Sequence, residues 1–136
     1  LYSWLIGAKG LKGVEASNYF NGATDEIKKA TISRKQQYDL FLPVYEHMKS
    51  EVIRISGQRS NVDDYGALDW DSIGQKLKDI IIDLIYRGDY TPSSRRLVQS
   101  KFVNNDCDGM RVIISDQSKW QSVPRDRYKR RKDYLR

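Results

Sequence analysis

One cysteine, one histidine and three prolines stand among 136 residues, and each scarcity excludes something. With Cys107 alone, no intrachain disulfide forms and the fold needs none. His47 is the only imidazole, so a metal site built on several histidines has no ligands to draw on. No stretch of eighteen apolar residues occurs, which leaves no segment for a membrane-spanning helix. No basic n-region precedes an apolar run, so no signal peptide is visible. The chain opens on Leu1 rather than Met, which predicts a piece of a longer protein or a processed product. Alternation with a period of two is nearly absent, which argues against sheets.

What is present is a polar but globular composition, 39% apolar and 31% charged, with nine Tyr and three Trp supplying bulk. The length predicts one domain, 1–136, large enough to bury a real core. The net charge of +6 has one address. Lys119, Arg125, Arg127, Lys129, Arg130, Arg131, Lys132 and Arg136 outnumber Asp126 and Asp133 in the last eighteen residues, and the rest of the chain is neutral. A terminal element so charged either meets a polyanion, nucleic acid or cell-wall polymer, or lays its Arg stems on the core as an amphipathic helix.

Hydrophobic spacing is helical nearly everywhere. A short unit over 2–8 is broken by Gly10 and Gly13, and 14–21 closes on Asn21-Gly22. Thr24 caps a further turn through Asp25–Ala30. From Ser33, the stripe Tyr38, Phe41, Leu42, Tyr45, Met48, Val52 and Ile55 predicts a long helix stopped by Gly57. Pro43 inside it should bend or divide it. The turn-rich, acidic segment 57–71 reads as a loop. Ser72 or Asp71 then caps a strongly apolar helix, the expected buried centre of the molecule, which Gly88 ends. Thr91-Pro92 opens a helix through about Asn104. Asp108-Gly109 starts another, although Val112-Ile113-Ile114 also fits a short strand. Val123-Pro124 begins the basic terminal helix. The fold class is therefore all-α.

Catalytic chemistry is thinly marked. His47 sits near the polar face of its helix with Glu51 as sole local partner, the pattern of a solvated His. Cys107 lies between Asp106 and Asp108, which disfavours a thiolate. Asn104–Gly109 has oxygen side chains before a glycine but lacks the spacing and closing Glu of a calcium loop, so no metal and no cofactor is expected; Asp108 reads as a helix cap. Gly10-Leu11-Lys12-Gly13 is too short for a phosphate cradle. A neutral-pH general acid needs an apolar surround. Among Glu15, Glu26, Glu46 and Glu51, only Glu15 falls between turn glycines and an apolar stretch, a weak candidate. Asp63, Asp64, Asp69 and Asp71 cluster in the segment read as a loop, where solvation is the ordinary fate.

Several blocks taken in order carry a resemblance. Gly10-Leu11-Lys12-Gly13 with Ala16, then Ile32, Gln36-Gln37, Leu40-Phe41 and Tyr45, are similar to the segment after the catalytic lobe in pesticin-like lysozymes, relatives of the phage-type muramidases. Asp83-Leu84-Ile85-Tyr86-Arg87-Gly88 resembles the end of their central helix, and Trp120, Pro124, Arg127, Arg130-Arg131 and Leu135 resemble their terminal pattern. The resemblance runs from residue 10 to the end. It implies a lysozyme-like helical lobe around the central helix, about residues 72–87, and a peptidoglycan target whose β-1,4 glycan bonds are hydrolysed. Tyr86, Arg87, Asp89 and Tyr90 would then lie near the glycan. In that family the acidic Glu precedes a small hairpin lobe, and the first matched block here lies downstream of both. The resemblance therefore implies a catalytic Glu upstream of Leu1, with these residues alone inactive, and does not carry that role to Glu15. It further implies a bacterial toxin or phage enzyme, secreted or delivered to the periplasm or cell wall, with a cognate immunity protein as a partner. A basic helical module that binds nucleic acid or an acidic partner protein is the competing expectation.

Overall fold

The computed structural model describes residues 1–136 and contains nine α-helices, two 3-10 turns and no strand. The all-α expectation holds. By contacts the chain divides into two compact units, Leu1–Phe41 and Leu42–Arg136.

The first unit holds α1 (Tyr2–Gly7), α2 (Gly13–Asn21), α3 (Asp25–Lys29) and the start of α4 (Arg34–Ser56). Its local signals behave as the residues dictate. Thr24 caps α3 by accepting from the Ile27 amide, and Ser33 and Gln36 exchange bonds across the first turn of α4. Two side chains of α2 hold it to Trp4 of α1: Tyr19 donates to the Trp4 carbonyl at 2.9 Å with its ring 5.0 Å away, and Phe20 meets the indole edge-on at 6.3 Å. Gly7 permits this approach, because a Cβ there would collide with the Tyr19 hydroxyl. No residue of α1, α2 or α3 is buried.

The second unit has a true core. Every buried hydrophobic side chain lies between Val52 and Leu135, centred on Leu77, Ile80, Ile81 and Leu84 of α6 (Gln75–Arg87). Around α6 stand the end of α4, α5 (Arg59–Tyr65), α7 (Pro92–Val103), α8 (Cys107–Ser115) and α9 (Arg125–Tyr134). Val52, Phe102, Met110, Ile114 and Leu135 complete the packing at 0–1% exposure. The expected buried central helix is thus present, beginning at Gln75.

Three local expectations need correction. Residues 57–71 are not a loop: Arg59–Tyr65 is helical and Trp70–Ser72 forms a 3-10 turn. The anchor is Asn61, a turn-former by composition, which is buried here and donates to the Ile55 carbonyl at 2.7 Å. α6 starts later than Ser72, because Ile73 is extended and buried, and Gly74, the N-cap, gives its amide to Asn105 Oδ1. α8 is capped by Asp106, not Asp108, and Val112–Ile114 lies within it, as the helical reading of that segment expects. Of the two outcomes expected at Pro43, a bend or a division, the division is absent: α4 runs unbroken over 23 residues. The missing N–H of Pro43 removes the helical partner of the Asp39 carbonyl, at an exposed stretch of the helix.

Candidate functional site

The sequence block around Asp83–Gly88 and the terminal block around Trp120–Leu135 meet at one corner of the second unit. Gly88, at φ +85°, takes the left-handed conformation that ends α6 and turns the chain toward α7. Thr91 then opens α7 with a reciprocal capping box: its hydroxyl accepts from the Ser94 amide, and Ser94 Oγ accepts from the Thr91 amide. Ser94 also donates to the Asp89 carbonyl, which fixes the turn between the two helices.

Across this turn runs a chain of ion pairs. Arg131, 4% exposed, sends Nε to Asp83 Oδ2 at 2.5 Å and Nη2 to Asp89 Oδ2 at 2.8 Å. Arg127 Nη1 holds the other Asp83 oxygen at 2.7 Å. Arg87 Nη1 holds the other Asp89 oxygen at 2.7 Å, and its Nη2 reaches the Ser122 carbonyl at 2.9 Å. Two carboxylates are therefore bracketed by three guanidinium groups, of which Arg131 alone is nearly buried and touches both.

Beside the network lies a pocket of about 240 Å³, bounded by Asp89, Thr91, Ser93, Lys119, Trp120 and Ser122 among others. Its walls are hydroxyl-rich. Trp120 is nearly buried, its indole N–H donating to the Ile113 carbonyl at 2.9 Å, so it closes the pocket rather than offering a ring face.

The four residues expected near a glycan are drawn to this corner with unequal fates. Tyr86 is 60% exposed and open to a ligand. Arg87 and Asp89 are engaged with each other and with the terminal segment. Tyr90 is buried, its hydroxyl 3.0 Å from Ser56 Oγ and its ring under Arg95; burial pushes its pKa upward. Asp89 lines the pocket, whereas Tyr90 serves the core. Glu15 lies elsewhere, exposed in the first turn of α2 in the other unit. Asp89 has cations on both sides, the opposite of the apolar surround that a general acid requires. His47 is exposed, and no cluster of His, Cys, Asp and Glu suits a metal ion.

Sequence reasoning missed two participants. Asp83 belonged to the matched block but carried no expected role, and Asp79 was passed over. Asp79 accepts from Gln75 at 2.7 Å and from Tyr134, joining α6 to α9. That bond raises the Tyr134 pKa to about 12, since ionising the phenol would set it against a carboxylate. Asp79 and Asp83 are four residues apart and are the two carboxylates of the central helix, and this spacing opposite a terminal Arg cluster was the available signal.

A family model described as a domain of unknown function, DUF8812, matches residues 1–132. The chain belongs to the DUF8812 family. The match spans both compact units and most of α9, so the corner described above lies within the DUF8812 domain. No curated protein and no solved structure matches the chain.

Proposed function

We propose that this DUF8812 domain is the helical lobe of a lysozyme-like, peptidoglycan-degrading enzyme of a bacterial toxin or phage. The observation that carries the reading is the Asp83–Arg131–Asp89 bridge: two blocks that resemble muramidases separately in sequence are joined through a nearly buried guanidinium. The buried central helix α6, with helices packed around it, is the second support. The lobe supplies architecture and wall contact, with Tyr86 and the pocket beside Asp89 as the glycan-facing elements. The general acid is assigned to none of these corner residues. Glu15 is the weak candidate within the chain, and the resemblance places the acid ahead of the matched blocks. The target is peptidoglycan in the cell wall or periplasm, with an immunity protein as a natural antagonist.

The test is incubation with purified peptidoglycan, mass spectrometry of soluble products and sedimentation of the polymer in parallel. Co-sedimentation without muropeptide release is the expected result for the lobe alone. Release with new reducing ends would place an acid within these residues and make Glu15→Gln the first variant. Absence of both release and binding sinks the reading.

A second reading, a basic module for nucleic acid, draws on one observation. Arg125, Lys129, Arg130 and Lys132 of α9 have no carboxylate partner. Tight duplex binding that weakens steeply with salt would favour it.

A further inference from the structure

The charge of α9 is divided between two faces. Arg127 and Arg131 turn toward Asp83 and Asp89, while Arg125, Lys129 and Lys132 recur at four- and three-residue steps on another face. Arg125 and Lys129 are exposed and Lys132 is partly so, and none of the three has an ion pair. Asp126 and Asp133 fall on the adjacent row with Arg130, and Asp133 is paired with Arg136. At a rise of 1.5 Å per residue, this stripe extends over roughly 10 Å, about the reach of two sugar rings.

The stripe leads into a pocket. Arg125 also lines a cavity of about 530 Å³ with Gln117, Ser118, Gln121 and Tyr128. Gln117 and Gln121 are exposed, and no side-chain bond engages either amide, so each offers both a donor and an acceptor. No carboxylate lines this cavity. Tyr128 is half-buried with its hydroxyl committed to the Ser115 carbonyl at 2.6 Å, which makes its ring a fixed wall.

From this geometry we infer that the cavity beside Trp120 and the Arg125–Lys129–Lys132 stripe form one binding site for an acidic polysaccharide. The two amides take the hydroxyl groups of one sugar, Tyr128 walls its ring, and the stripe takes the negative groups of the following units, while the Ser118 hydroxyl is already given to Asp116 at 2.6 Å. A nucleic-acid strand fits less well, because sequence-tolerant binding of unpaired bases needs open aromatic faces, and Trp120 is only 5% exposed. The site shares only the Trp120 wall with the pocket beside Asp89, and its connection to the wall-polymer reading is only the natural source of the polysaccharide.

Polygalacturonate is a suitable probe. It carries carboxylates but no amino-sugar bond, so its binding is independent of any muramidase activity, which muropeptide release tests separately. Titration calorimetry at about 50 mM salt is expected to show binding that weakens about twenty-fold by about 200 mM, the slope for three charge contacts to a single strand. The triple variant R125E/K129E/K132E should lose at least tenfold in affinity. Gln117→Ala with Gln121→Ala should lose several-fold while keeping the salt slope. Circular dichroism checks the fold of each variant, and K129Q/K132Q replaces the charge reversal if that fails to fold. Absence of binding at low salt overturns the inference, as does binding that ignores the substitutions. Tighter binding of oligothymidylate, indifferent to the glutamine pair, overturns it in favour of nucleic acid.

Discussion

Residues 1–41 and 42–136 are both helical and both carry regularly spaced apolar side chains, yet only the second has an interior. In the first unit Leu1, Tyr2, Leu5, Ile6, Val14 and Phe20 are 46–78% exposed. In the second, Leu77, Ile81 and Leu84 of α6 are at most 1% exposed. Helix length accounts for part of the difference. α1 and α3 have six and five residues, too short to hold a stripe along one face, whereas α6 has thirteen. Long-range polar ties account for the rest. The second unit is cross-linked through Asp79, Asp83 and Asp89, and the first has the single Tyr19–Trp4 bond between its helices α1 and α2. Apolar periodicity fixes a helix; a core also requires neighbours.

Substitutions test this contrast. Arg131→Ala should have the largest effect, a loss of about 3 kcal/mol, because it removes the nearly buried cation that bridges Asp83 to Asp89 and leaves each carboxylate with a single guanidinium; urea unfolding would measure it, and a loss under 1 kcal/mol, roughly that of a surface pair, would mean that the bridge is solvated. The same deletion made in each unit sharpens the comparison. Leu84→Ala should cost about 2–5 kcal/mol, whereas Leu5→Ala, at a half-exposed site, should stay within about 0.5 kcal/mol. Hydrogen exchange should follow the same division, with α6 amides protected well beyond those of α1–α3. Thr91→Ala removes one half of the capping box and should cost about 1 kcal/mol, read from the thermal midpoint.

The smallest effect is alkaline. The Tyr134 pKa is raised to about 12 in the folded chain from an unfolded value near 10. Its contribution is therefore complete below about pH 10 and disappears as pH rises toward 12. Tyr134→Phe should flatten stability against pH in that window, and a curve identical to that of the parent would show that the bond to Asp79 is not maintained.

Helices with strong end signals were legible residue by residue: Thr24, Thr91-Pro92, Gly57 and Gly88 mark boundaries where local chemistry alone decides. α5 was illegible because Arg59-Ser60-Asn61 looks like a turn until Asn61 finds the Ile55 carbonyl, a tertiary event. The stripe of α4 predicts a helix along its whole length. Burial begins only near Tyr45, since a hydrophobic pattern states what a face would bury and not whether anything covers it. The candidate corner was half legible. Arg87 and Asp89 came with a recognisable block, but their ties to Arg131 and Ser122 join positions 35–42 residues apart, and nothing in local spacing announces such pairs.

The position of Arg131 and Leu135 also sets an order of events during synthesis. The carboxylates of Asp83 and Asp89 and the apolar face of α6 leave the ribosome well before the side chains that neutralise and cover them. Until residue 135 has emerged, the nascent second unit exposes both an uncovered hydrophobic helix and an Asp83 carboxylate whose two guanidinium partners lie in α9. Ribosomes stalled short of α9 should therefore carry a chain that chaperones hold and proteases cut, and release of the last turn should convert it abruptly to a resistant one.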